Sequence, residues 1–230
     1  MPTLYLIPNM LSEETSGMLP AALKNYVSNL RVFFVEGEKA ARRLLKAVDK
    51  GFPIDESTFH LLNEHSSRDE IDIIFSQIKE DAGIISEAGL PCIADPGAEV
   101  VRHAHARGWK IVAIPGPSSI VLALMASGLN GQNFAFNGYL PKDSSERLKR
   151  IRELERRATG ENQAQIFMET PYRNDKILEE IISVCRPDTL LSVACNLTAP
   201  DEMVTTATVG EWKRKKVNIQ KKPAIFILGK

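Results

Sequence analysis

The chain has 230 residues, 43% of them hydrophobic, enough for one large or two small α/β domains with sizeable cores. Its 29 Lys and Arg residues balance 29 Asp and Glu, so an overall electrostatic pull toward nucleic acid or membrane is excluded and any such contact must use local patches. Cys92, Cys185 and Cys195 stand far apart with no C-x-x-C pair, the opening MPTLYLIPNMLSEE has no basic n-region, and no apolar run reaches the roughly 20 residues of a spanning helix; reduced thiols in a soluble, cytoplasmic protein are expected.

In chain order, Thr3–Ile7 reads as a buried strand ended by Pro8 and Asn9. A helix is expected over 17–29, a strand over 31–36, a helix over 39–49 that stops near Gly51, a short strand over 59–62, and a helix over 68–80 capped by Ser66 or Ser67. Glu36 and Glu38 stand where carboxylates favour the positive end of a helix. His65 is a candidate acid or base, but no second His, Cys or carboxylate stands at ligand spacing. His103 and His105 lack the i, i+4 pairing of a zinc site, so no metal is expected. The next helix is expected over 96–107, with Asp95 as N-cap, Pro96 as first helical residue and Gly108 as the glycine after its end. A strand follows over 109–114, and Ser118 or Ser119 caps the helix after it. The boundary near 114–119 has no Gly/Ser linker, which implies two closely hinged α/β domains, 1–114 and 115–230.

In the second half a strand is expected over 134–140, then a helix capped by Ser144 or Ser145 and running to 158, with Leu148, Ile151 and Leu154 as its buried stripe. A strand over 165–169, a helix over 174–184 and strands over 190–196, 203–209 and 224–228 complete a second sheet of mixed direction. Residues 142–157 hold seven basic and four acidic side chains, and Trp212, Lys213, Arg214, Lys215 and Lys216, extended by Lys221 and Lys222, form the densest basic patch. Each is open to two interpretations, an RNA footprint or a solvated surface.

Two stretches organise the whole. GIISEAGLPCIADPG (83–97) and IVAIPGPSSIVLALMASGL (111–129) each read as a buried strand, a Gly/Pro loop and a helix, the unit that places ligands at the carboxyl ends of a sheet. Neither 86–97 nor 115–119 contains Lys or Arg, while Glu87 and Asp95 lie in the first. The phosphate-binding pattern G-x-x-x-x-G-K-[ST] and the dinucleotide pattern G-x-G-x-x-G are both absent, which disfavours a pyrophosphate ligand. A ligand neutral or cationic at its reactive end, held by main-chain groups and small side chains, fits better.

These loops resemble the paired motifs of the tetrapyrrole-methylase superfamily of S-adenosylmethionine (SAM) methyltransferases, most closely its ribosomal-RNA branch. Glu87, Ala88, Gly89, Pro91, Ile93, Asp95, Pro96 and Gly97 match its D-A-G-x-P-x-I-x-D-P-G loop, and Pro115, Gly116, Pro117, Ser118 and Ser119 its I-P-G-P-S loop. Similarity continues in 137–151, 166–173, 193–198 and the PAIFILG ending. The chain departs from the branch after its first strand, where Pro8, Asn9, Met10, Leu11 and Ser12 replace a Pro-Ile-Gly-Asn-Leu-type loop, so only Pro8 is carried over. It departs again where Glu36, Gly37, Glu38 and Lys39 replace Glu-Asp-Thr-Arg and keep the first carboxylate alone.

The resemblance implies an α/β protein of two domains with a SAM-binding cleft between them, and a homodimer. Pro8, Ala88, Gly89, Leu90, Ile93, Ser118, Ser119, Met168, Leu197, Pro223 and Ala224 are the expected cofactor contacts. Methyl transfer from a sulfonium chiefly requires alignment, and placement alone can supply on the order of 7–11 kcal/mol. Glu87 and Glu169, with Glu36 behind them, are the candidate proton acceptors. The implied reaction is 2′-O-methylation of a cytidine ribose in small-subunit (16S) ribosomal RNA. A tetrapyrrole or other small acceptor, or a SAM-binding module without catalysis, stand as alternatives.

Overall fold

Runs of β-branched and aromatic residues, closed off by Pro, Gly and Asn, form the strands of two separate sheets. The computed structural model describes every residue but 63–65 and 67, and the side chains of Thr15 and Ser16 are also outside the description. His65 and Ser67 therefore lie outside the described residues. The chain divides into two compact units, Met1–Ser118 and Ser119–Lys230.

The first unit runs β1 (Thr3–Ile7), α1 (Leu23–Val27), β2 (Val32–Val35), α2 (Glu38–Val48), β3 (Thr58–Leu61), α3 (Arg68–Gln77), β4 (Ala82–Ile85), α4 (Ala98–Ala106) and β5 (Lys110–Ala113). Strand order is β3-β2-β4-β1-β5 and every pairing is parallel. All five strands therefore end at one edge, with the loops after β4, β1 and β5 side by side. A parallel sheet must be covered on both faces, which is why Phe33, Phe34 and Val35 run on without polar alternation. Phe33 packs with Leu44 and Leu45 of α2 on one face, and Phe34 with Phe75 and Val100 on the other. Each such side chain, fully buried, contributes about 1.5–3 kcal/mol.

The helix expected over 17–29 is instead a 3₁₀ turn, Glu13–Met18, followed by the short α1. Pro20 has no N–H to donate and turns Leu19 away from helical geometry; its carbonyl restarts the chain by accepting the Leu23 N–H at 2.8 Å.

The second unit runs α5 (Ser119–Ser127), β6 (Phe134–Tyr139), α6 (Ser144–Gly160), β7 (Ala164–Met168), α7 (Asn174–Val184), β8 (Leu190–Cys195), β9 (Met203–Thr208), α8 (Val209–Trp212) and β10 (Ala224–Gly229). Strand order is β6-β7-β10-β8-β9, parallel between β6 and β7 and antiparallel elsewhere, the mixed sheet expected.

Two details of α6 differ from expectation. Asp143, one residue earlier than the expected serines, caps it by accepting the Glu146 N–H at 2.9 Å. The buried stripe is Arg147, Ile151, Leu154, Glu155 and Ala158, so it contains two charges in place of Leu148. Arg147 is tolerated there because Glu180 takes its guanidinium and the carbonyls of Pro141 and Lys142 accept the remaining N–H groups. Glu155 accepts from the Thr189 hydroxyl and the Arg186 N–H, each at 2.6 Å. Among the described residues no helix is long and apolar enough to cross a membrane.

Candidate functional site

The loops after β4, β1 and β5 start at the carboxyl edge of the first sheet, where open α/β sheets take their ligands. Asn9, only 1% exposed, fastens two of them together. Its Nδ2 donates to the carbonyls of Ser86 at 2.8 Å and Glu87 at 3.0 Å, and its Oδ1 accepts the Met10 N–H at 2.8 Å. Its backbone N–H donates to the Gly89 carbonyl at 2.8 Å, and the Gly89 N–H returns to Asn9 at 3.2 Å. The loop after β5 closes in from the other side: a Cβ on Gly116 would stand 2.1 Å from Pro8 Cβ, so only glycine lets that backbone lie on the Pro8 ring. Three loops form one fixed surface.

The turn from Gly89 to Gly97 is unusually bent. Gly89, Cys92, Ala94 and Gly97 all have positive φ, at 70°, 68°, 65° and 127°. For Cys92 and Ala94, which carry a Cβ, this conformation costs about 1–3 kcal/mol each, so the surroundings must hold it in place. The chain enters α4 only at Ala98, with Gly97 in the N-cap position, so Asp95 and Pro96 stand outside the helix and Asp95 caps nothing. Gly108 does follow the helix as expected, at φ 70°.

Asp95 instead joins two other carboxylates. The Glu87 N–H donates to Glu36 Oε2 at 3.1 Å, and Glu87 Oε1 lies only 2.6 Å from where a Cβ on Gly37 would be. Burial first, then repulsion from Glu36, pushes the Asp95 carboxyl up to about 6, with Glu87 adding to the rise and a hydrogen bond from Ser86 opposing it. Burial and the Asp95 charge push the Cys92 thiol up to about 11, which leaves it protonated and unreactive at neutral pH. Ala88 and Ile93 are exposed beside this acidic rim and Leu90 is half-buried. No Lys or Arg occurs in 3–12, 82–97 or 111–118. The surface suits a ligand that is part apolar and part cationic, and it repels phosphate. A cavity of about 550 Å³ lined by Arg42, Lys46, Phe52 and Asp55 among others borders the segment entering β3, at the opposite edge of the sheet.

In the second unit, antiparallel pairing gathers the remaining candidates. Met168 ends β7 opposite Ile225, Ala224 opens β10 opposite Cys195, and the Asn196 N–H donates to the Pro223 carbonyl at 2.9 Å. Met168, Leu197, Pro223 and Ala224 thus share one edge of that sheet, Met168 and Leu197 half-buried, Pro223 exposed and Ala224 buried. Asp201 accepts from Asn196 Nδ2 and pairs with Lys222, each at 2.9 Å, which fixes the loop after β8 to the start of β10. Glu169 is buried with both oxygens engaged, one by the Thr170 N–H at 2.7 Å and the other by Arg173. Glu87 is exposed and Glu36 half-buried. Ser118, buried, ends the first unit and Ser119, half-buried, opens α5 in the second. Among the described residues no group of three or more His, Cys, Asp or Glu is placed to hold a metal ion.

Asn9 is the site residue that sequence reasoning passed over in favour of Pro8. Its one signal was an amide between apolar neighbours, directly after a buried strand.

The family model for Tetrapyrrole (Corrin/Porphyrin) Methylases matches residues 18–213. Among relatives, the protein named Ribosomal RNA small subunit methyltransferase I in Escherichia coli O157:H7 is 30% identical over 172 residues, 73% of this chain and 59% of the relative. Proteins of the same name are 27% identical in Vibrio cholerae, over 91% of this chain and 70% of the relative, and 31% identical in Leptospira borgpetersenii, over 85% and 76%. The chain therefore spans 59% to 76% of the length of these relatives. Two solved structures share the fold: the methyltransferase CobJ (TM-score 0.60, 15% identity, 99% of this chain and 92% of that one) and the cobalt precorrin-4 methyltransferase CbiF (0.61, 16%, 99% and 94%).

Proposed function

The chain belongs to the tetrapyrrole (corrin/porphyrin) methylase family, and from that premise we propose that it is a SAM-dependent methyltransferase of small-subunit ribosomal RNA, with a cytidine ribose 2′-hydroxyl as acceptor. The observation that carries the proposal is the three-loop surface held by Asn9 and Gly116, rimmed by Glu36, Glu87 and Asp95 and free of Lys and Arg. The name shared by the relatives supports small-subunit ribosomal RNA as the substrate.

The residues present fit SAM. Its sulfonium and ammonium charges suit the carboxylate rim, and its adenosine suits Ala88, Leu90 and Ile93. When bound, SAM supplies a methyl group already activated for in-line displacement. The chain's own contribution is placement: Gly89 and Pro8 shape the floor and Ser118 and Ser119 offer hydroxyls, while Met168, Leu197, Pro223 and Ala224 remain candidates by the family resemblance. Glu87, exposed and backed by Glu36 through its own N–H, is the proton acceptor we favour. Glu169, its oxygens engaged with Thr170 and Arg173, acts by holding the turn after β7. A homodimer in the cytoplasm belongs to the same proposal.

The test is methylation of purified small ribosomal subunits with labelled SAM, run beside naked rRNA and a porphyrinogen. Label in a 2′-O-methylcytidine is expected. Label in the porphyrinogen, or in none of the three, overturns the assignment.

A further inference from the structure

The second unit carries a surface of opposite character. After Glu211 the chain has no Asp or Glu, and 213–222 holds Lys213, Arg214, Lys215, Lys216, Lys221 and Lys222. Strand register fixes its course: Thr208, ending β9, lies opposite Leu190, whereas Ala224, opening β10, lies opposite Cys195 at the other end of β8. The segment must therefore travel the length of the strand. Its apolar members hold it down. Trp212 is buried and donates its indole N–H to the Leu191 carbonyl at 2.8 Å, and Ile219 is buried in the core beneath.

The cations face outward. Lys213, Arg214, Lys215, Lys216 and Lys221 are exposed, and among the described residues none of the five is in an ion pair; Lys222 alone is taken, by Asp201. At the far end this stripe meets an aromatic ring. Tyr172 is 75% exposed in the 3₁₀ turn Pro171–Arg173, and among the described residues it has no ring partner. One hydrogen bond ties that turn to the stripe, Lys221 N–H to the Pro171 carbonyl at 2.9 Å, and Asn174, the residue directly after the turn, adds two from its Nδ2 to the carbonyls of Ile219 at 3.0 Å and Lys222 at 2.7 Å. The same edge carries Met168, Pro223 and Ala224.

A solvated aromatic on an anchored turn, at the end of a row of cations outside any ion pair, Lys215 lying over the Trp212 ring at 6.0 Å, is the combination that binds single-stranded nucleic acid, cations on the phosphates and a base stacked on the ring. We infer that Tyr172 and the stripe from Lys213 to Lys221 receive a single-stranded segment of the acceptor RNA and lead it to the edge where Met168 and Ala224 lie. This rests on the RNA acceptor proposed above.

Binding of a short fluorescein-labelled oligocytidine RNA to the intact protein, followed by anisotropy across a salt series, tests it. Tyr172→Ala should weaken binding about 5- to 150-fold, the range for loss of one stacked base, and Tyr172→Phe should restore most of it. Replacing Lys213, Arg214, Lys215 and Lys216 by Gln should flatten the plot of log affinity against log salt by about 0.7 for each phosphate that the variant no longer neutralises. Tyr172 and these cations are exposed, so circular dichroism should be unchanged. RNA bound equally well by wild type and by both variants overturns the inference while leaving an RNA acceptor standing. No RNA bound by the wild type, with SAM still taken up, overturns both.

Discussion

The two units carry opposite charge. Met1–Ser118 has 12 basic and 16 acidic residues, a balance of −4, and Ser119–Lys230 has 17 and 13, a balance of +4. The contrast sharpens locally, between a carboxylate rim on three fixed loops and a row of lysines along a traversing segment. A net charge of zero therefore conceals two surfaces of opposite sign. On the two proposals above, the rim acts at short range on a small cationic ligand, where the half-buried Glu36 and Asp95 are little screened, and the lysine row acts through water on a polyanion, so that its binding must weaken as salt rises.

The contrast can be broken most severely at Gly116. Gly116→Ala places a methyl group on the Pro8 ring, so the loops must part; donor uptake should be lost and stability fall by about 1–3 kcal/mol in urea unfolding. Gly131→Ala, at a site with open space around it, should change stability by less than about 0.5 kcal/mol and is the control. Next is Asn9→Ala, which strips the buried Ser86 carbonyl and the part-buried Glu87 carbonyl of a shared donor and the Met10 N–H of its acceptor. A loss of about 1–3 kcal/mol is expected by the same assay, together with weaker donor binding. Asn9→Asp should be worse than Ala, since a carboxylate cannot donate to either carbonyl.

Asp95→Asn should have the smallest effect and the clearest signature. The Asp95 carboxyl is raised to about 6 in the folded chain, so the fold holds that proton more tightly than the unfolded chain does. Stability from this group is full below the ordinary aspartate range and declines as pH rises from about 4 to about 6. The Asn variant escapes that decline. It should be more stable than wild type above pH 6, by on the order of 1 kcal/mol once solvent screening of a half-exposed group is allowed for, and the advantage should vanish near pH 4. It should also bind a cationic ligand more weakly at neutral pH, where the wild-type rim carries its full charge. Equal donor affinity for the two proteins at pH 7.5, roughly 1.5 units above the raised pKa, would remove Asp95 from the rim's electrostatic role.

Much of this was legible in the chain itself. The strands were marked by apolar runs ending in Pro, Gly or Asn, and the carboxyl edge of the first sheet by two Gly/Pro loops after such runs. What escaped depends on partners distant in sequence. Arg147 lies inside α6 because Glu180, 33 residues on, neutralises it, and helical periodicity alone favours Leu148. Asp95 and Pro96 look like a helix start, but left-handed Cys92 and Ala94 turn the chain so that α4 begins later. Asn9 holds carbonyls 77 and 78 residues away, a role that no local pattern announces. Pro20, by contrast, was a local signal, and its missing N–H shortens α1 as elementary helix chemistry requires.

Equilibrium dialysis of the intact protein against SAM, its demethylated product and ATP tests the loop surface most directly. SAM and its product should be retained and ATP, whose triphosphate meets three carboxylates and no cation, should not. Failure to retain SAM or its product at millimolar concentration, or retention of ATP as strong as that of SAM, would contradict the acidic three-loop surface as a methyl-donor site.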